Sequence, residues 1–82
     1  MELSKADIIC LKELEKQQKI SYLKSLEIKN FILVHSGNLK YGTVYKRLEK
    51  LKTLGLVDYG ALNANAKTYY ITNKGLEYLN KI

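Results

Sequence analysis

A chain of 82 residues has room for one small domain on one core, which argues against a second domain or a large active-site cleft and so against an enzyme. It is 46% hydrophobic with seven tyrosines, lacks low-complexity stretches, and has no apolar run near the ~20 residues of a membrane span, so a soluble chain folded end to end is expected. The net charge of +6 is uneven, because residues 38–52 hold Lys40, Lys46, Arg47, Lys50 and Lys52 against Glu49 alone; such a patch suits a polyanion, although a solvated lysine-rich face is the commoner origin.

The N-terminus, "MELSKADIIC", lacks the basic flank and long apolar stretch of a signal peptide, so a cytoplasmic location is expected. Ser4 or Asp7 can cap a first helix that runs to about residue 18, with Ile8, Leu11 and Leu14 on one side and Cys10 on a neighbouring stripe. The lone Cys10 cannot form an internal disulfide, and amid Ile8, Ile9 and Leu11 it reads as a small buried apolar residue. The segment "KISY" is a candidate for a brief strand. In "SLEIKNFILVHSG", Leu26, Ile28, Phe31, Ile32 and Val34 are apolar nearly all round, which predicts a buried second helix stopped by Gly37. The link "GNLK" then forces a tight turn, with Leu39 tucked into the corner.

A third helix over residues 41–54 places Val44, Leu48 and Leu51 at i, i+4 and i+7 as a core stripe, with Tyr41, Tyr45 and Leu54 at its margin. Gly42, Thr43, Lys46 and Lys50 then lie away from the core, with Arg47 on the flank. A helix enters the B-form major groove with its N-terminal residues nearest the base edges, and arginine best matches the two acceptors of guanine. Arg47, the sole arginine of the chain, is the candidate base reader, and Lys40, Lys46 and Lys50 are candidate phosphate anchors. The positions three and four removed from Arg47 are Thr43, Val44, Lys50 and Leu51, so its own helix offers it no acidic partner.

After Gly55 the period changes. Val57 and Tyr59 alternate with Leu56 and Asp58, and Tyr69 and Ile71 with Thr68 and Tyr70, across a tip near "LNANA"; this is a β-hairpin whose tyrosines should cover the core. Thr72 can cap a short last helix presenting Leu76, Leu79 and Ile82.

The string "YGTVYKRLEKLKTLGLVDYG", followed by "KTYYITNKGLEYL", resembles the PadR-like and MarR-like winged-helix transcriptional regulators. The resemblance covers about residues 20–79 and is most specific in "TVYKRLEKLKTLGLV" and in "YYITNKG", which is similar to a strand-to-helix junction of that group. It implies an α+β winged helix-turn-helix domain spanning residues 1–82, with a three-helix core, a β-hairpin wing and a short C-terminal helix. It also implies double-stranded DNA as partner, a homodimer, and DNA-facing residues at Lys40, Tyr41, Thr43, Lys46, Arg47 and Lys50, with wing contacts at Asn63, Asn65 and Lys67. The chain departs from the pattern at a wing tip with one lysine and no arginine, and at a third helix that opens on Lys40 rather than a Ser or Thr cap.

A single small reader covers little groove, and two copies about a two-fold axis would read half-sites about 34–36 Å apart. The apolar residues expected at such an interface are Leu3, Cys10 and Leu14 on the first helix and Leu76, Leu79 and Ile82 on the last. No metal is expected, because Cys10 and His35 are the only soft ligands and zinc needs three or four. No cofactor, catalytic constellation or small-molecule effector pocket is evident. The expected function is a dimeric repressor that occupies its operator. A plasmid or viral partition or architectural protein would use the same helix, and a protein-interaction module would not need its charge.

Overall fold

The computed structural model describes residues 3–28, 40–62 and 66–82. Helix α1 spans Lys5–Lys16. Ser4 is its cap: the Ser4 hydroxyl accepts from the Asp7 amide, and the Asp7 carboxylate accepts from the Ser4 amide, a reciprocal box that satisfies two otherwise orphaned donors. Strand β1 is Leu26–Glu27. Helix α2, the basic third helix of the sequence reading, spans Tyr41–Thr53; it is followed by strands β2 (Val57–Tyr59) and β3 (Thr68–Ile71) and helix α3 (Asn73–Asn80).

Strand β1 stands where a helix from residue 25 is expected, and the brief strand expected in "KISY" does not form. Leu26 pairs with Tyr69 and Glu27 with Thr68 in an antiparallel ladder, and Val57, Asp58 and Tyr59 pair with Ile71, Tyr70 and Tyr69. The sheet order is therefore β1-β3-β2, with β3 central. A continuous apolar run does not distinguish a strand from a helix, and the partner that decides between them lies some forty residues away. The rest of the expected second helix, with Phe31, Ile32, Val34, His35, Gly37 and Leu39, lies outside the described residues.

The predicted stripe of α2, Val44, Leu48 and Leu51, is fully buried, facing Leu11 and Leu14 of α1 and the sheet residues Val57, Tyr69 and Ile71. Of the hairpin tyrosines, Tyr69 lies in the core, Tyr70 is half-buried and Tyr59 is exposed. Gly55 closes α2 with φ +80°, a conformation that side chains with a Cβ resist.

The "YYITNKG" junction has a steric cause. Thr72 caps α3: its hydroxyl accepts from the Gly75 amide and donates to the Gly55 carbonyl at 2.7 Å, joining the two ends of the hairpin. Gly75 is buried against Leu56, and a Cβ placed on it would fall 2.3 Å from the Leu56 carbonyl oxygen. That oxygen is backbone and cannot swing aside. Gly75→Ala is expected to destabilise the domain by about 1–3 kcal/mol despite alanine's better helix propensity, read as a lower urea midpoint.

Candidate nucleic-acid interface

The first turns of α2 stand in solvent. Lys40, Tyr41, Gly42, Thr43, Tyr45 and Lys46 are exposed, while Val44 anchors the helix beneath them. Lys40 is extended and gives the helix no side-chain cap, in line with the departure noted in the sequence. A Cβ on Gly42 would meet no described atom within 4 Å. Among the described residues, packing does not demand glycine there, and its absent side chain leaves the backbone open to close approach from that side.

Arg47 and Lys50 are placed differently from the expectation. No acid lies within reach of Arg47 on its own helix, yet Asp7 of α1 stands beside both cations. Lys50 Nζ donates to Asp7 Oδ2 at 2.8 Å, and Arg47 Nε is 3.8 Å from Asp7 Oδ1. The Asp7 side chain is 0% exposed, while Arg47 and Lys50 keep 39% and 42% of theirs. Lys50 is thus an ion-pair partner of the core's edge before it is a phosphate anchor. Asp7 occupies the i position of the Asp7, Leu11, Leu14 stripe; an acid on the core face of a helix was the available signal for a buried partner.

Burial alone would raise the Asp7 carboxyl, but the Lys50 hydrogen bond and the two Ser4 bonds outweigh it and hold the group below its ordinary 3.8. A depressed folded value means that Asp7 contributes stability in full above its unfolded value, and that this is lost as pH falls through the lower folded one. Urea midpoints followed from pH 6 to pH 2 should fall below about pH 4, with a smaller acid loss in Asp7→Asn. Cys10 is buried next to this acid. Burial first, and then the Asp7 charge, push its thiol up to about 12, which disfavours the reactive thiolate.

Glu49 points to the hairpin. Its carboxylate accepts from the Tyr69 hydroxyl at 2.7 Å and the Tyr59 hydroxyl at 2.8 Å, and the Tyr69 bond leads in holding it below the usual range against the effect of burial. The two rings meet edge to face at 5.6 Å. Lys67 lies 5.0 Å from the Tyr59 ring centre and 5.6 Å from that of Tyr45, so it bridges the hairpin and α2. Lys52 sits over the other part of this cluster, 5.1 Å from the Tyr59 ring and 3.8 Å from Asp58. The hairpin is thereby fixed to the basic helix by one carboxylate and two cations. Asn63 and Asn65 lie outside the described residues.

The residues expected at a dimer interface divide. Cys10 and Leu14 are in the core and Leu79 is 8% exposed within it, so these three are corrected from surface to interior. Leu3 and Leu76 are partly buried against the core, and Ile82 is 62% exposed. Hydrophobic spacing identified these side chains as apolar contacts but could not say whether the contact is within the chain or between chains.

Among the described residues, no helix is long and apolar enough to cross a membrane and no three His, Cys, Asp or Glu side chains gather for a metal. An open depression of about 230 Å³ is lined by Leu56, Lys74, Glu77, Tyr78 and Lys81, below the ~300 Å³ at which small-molecule sites begin.

No protein-family model and no curated protein matches this chain. Solved structures do. The DNA-binding TubR fragment from Clostridium botulinum is 28% identical over 99% of this chain and 98% of its own, with a TM-score of 0.77. TubR from Bacillus megaterium pBM400 gives a TM-score of 0.82 at 15% identity, over 98% of this chain and 86% of that one. A PadR family transcription regulator from Clostridium difficile gives 0.69 at 24% identity, over 95% and 82%. The fold is that of the winged-helix proteins, α+β, with the β2–β3 hairpin as the wing beside α2.

Proposed function

We propose that this winged-helix chain is a sequence-specific double-stranded-DNA-binding transcriptional regulator, a cytoplasmic dimeric repressor that inserts α2 in the major groove. The observation that carries the reading is the exposed basic turn of α2, Lys40 to Lys46, standing beside a wing whose Lys67 faces the same helix. Its likeness to the DNA-binding TubR fragment runs nearly the full length of both chains. Tyr41 and Thr43 are offered to base edges or phosphates, and Lys40 and Lys46 to phosphates. Asn63 and Asn65 remain proposed contacts at the wing.

Selection of bound duplexes from a random pool, with stoichiometry measured on the winner, tests this. One enriched palindrome bound by two chains supports the regulator. Arrays of direct repeats would assign a partition or architectural role, and no enrichment would leave a protein-interaction module. Lys67 already spends part of its charge on two tyrosine rings, so Lys67→Ala should cost less affinity than Lys46→Ala in a titration on the selected duplex. The dimer would use the apolar residues left at the surface, Ile82 foremost, with Leu3 and Leu76 at its margin.

A further inference from the structure

Asp7 belongs to α1 and its side chain is 0% exposed, yet two of the five cations of the basic segment converge on it. Its two oxygens differ. Oδ2 accepts from Lys50 Nζ at 2.8 Å and from the Ser4 amide at 2.9 Å. Oδ1 is buried and has no hydrogen-bond partner among the described residues, and the Nε edge of Arg47 stands 3.8 Å from it. An orphaned carboxylate oxygen in the interior is costly, and closing this gap to hydrogen-bond length takes about 1 Å of movement by a half-exposed side chain. A guanidinium held through Nε–H keeps its two terminal NH2 groups free and in a fixed plane, the geometry that pairs with O6 and N7 of guanine.

We propose that Asp7 is a positioning residue for base reading: its Oδ1 receives the Arg47 Nε–H when the terminal groups of Arg47 engage a base, while its Oδ2 withholds Lys50 from the phosphates. Both actions favour the cognate site over random DNA. The first orders Arg47 in advance, which strengthens specific contact. The second removes one cation from the sequence-independent attraction, which weakens the competing background. This inference rests on the DNA-binding reading above.

Arg47 is the chain's sole arginine, so its Nε–H gives a single arginine side-chain signal in a nitrogen-15 correlation spectrum. In the free protein, Asp7→Asn should shift that signal. On the selected duplex the wild-type Nε–H should exchange with solvent much more slowly than on a random duplex. Asp7→Asn should bind random DNA at least as well as wild type, with a salt slope steeper by roughly one unit, and its ratio of specific to random affinity should fall about tenfold. In an Arg47→Ala background the same substitution should leave that ratio unchanged. An undiminished ratio in Asp7→Asn, or an equal fall with and without Arg47, would overturn the proposal. So would a wild-type Nε–H that exchanges as fast on the selected duplex as on the random one, a measurement that needs no variant to fold. A pool that enriches no duplex would instead remove the DNA reading itself, and the positioning role with it. A signal unmoved in free Asp7→Asn, alongside normal enrichment, would remove the positioning role alone.

Discussion

Leu79→Asp is expected to destabilise the domain strongly rather than to divide a dimer. The sequence pattern of Leu76, Leu79 and Ile82 placed all three on one apolar stripe, and a partner chain was one way to cover it. In the fold, α3 turns back onto α1 and β3, so Leu79 joins the core with Leu11, Leu14 and Ile71. An aspartate there forfeits the packing of a leucine and buries a carboxylate in the core, at a cost of about 3 kcal/mol or more. Against a total stability of ~5–15 kcal/mol for a small domain, that is a large share. Urea unfolding followed by circular dichroism should show a much lower midpoint. The control is Ile82→Asp, which should leave the midpoint nearly unchanged and lower the mass seen by light scattering at tens of micromolar if the proposed dimer forms there. A Leu79→Asp protein of wild-type stability but half the mass would return Leu79 to the interface.

Arg47→Ala is expected to weaken binding to the selected duplex by about 1–3 kcal/mol and to relax discrimination at one base position. Random DNA should be affected much less. Lys46→Ala should do the opposite, weakening all sequences alike and lowering the salt slope by roughly one, because Lys46 is exposed and pairs with no carboxylate among the described residues. Lys50→Ala should lower the slope by less than Lys46→Ala, since Asp7 already holds that charge. It should also destabilise the domain, since it removes one partner of a buried carboxylate. Equal losses on specific and random duplexes for Arg47→Ala and Lys46→Ala would deny Arg47 a reading role.

The elements that repeat locally were legible in the chain. Helices α1 and α3 follow from their caps and apolar spacing, α2 from its apolar spacing alone, and the hairpin from its change of period, because these signals are carried by neighbours within one or two turns. Gly55, which ends α2, could also be placed from the string alone, whereas Gly75, inside the first turn of α3, was marked only by the resemblance of "YYITNKG" to a strand-to-helix junction. The exposed half of the candidate interface, Lys40, Tyr41, Thr43 and Lys46, was legible for the same reason: a helix with a known core stripe has a known outer face.

What depends on residues distant in sequence was decided only by the tertiary structure. Leu26 and Glu27 are a strand because β3 offers them an edge to pair with, although their apolar context also suits a helix. Arg47 and Lys50 read as unpartnered within α2, and they meet Asp7 because α1 packs across that helix. Glu49 becomes the tie between helix and wing because two tyrosines of the hairpin converge on it. Cys10, Leu14 and Leu79 are interior because the same helices pack onto one another within the chain. Periodicity determines which face of an element is apolar or charged; only the packing of elements decides what that face touches, since a contact is set by geometry summed over the whole chain.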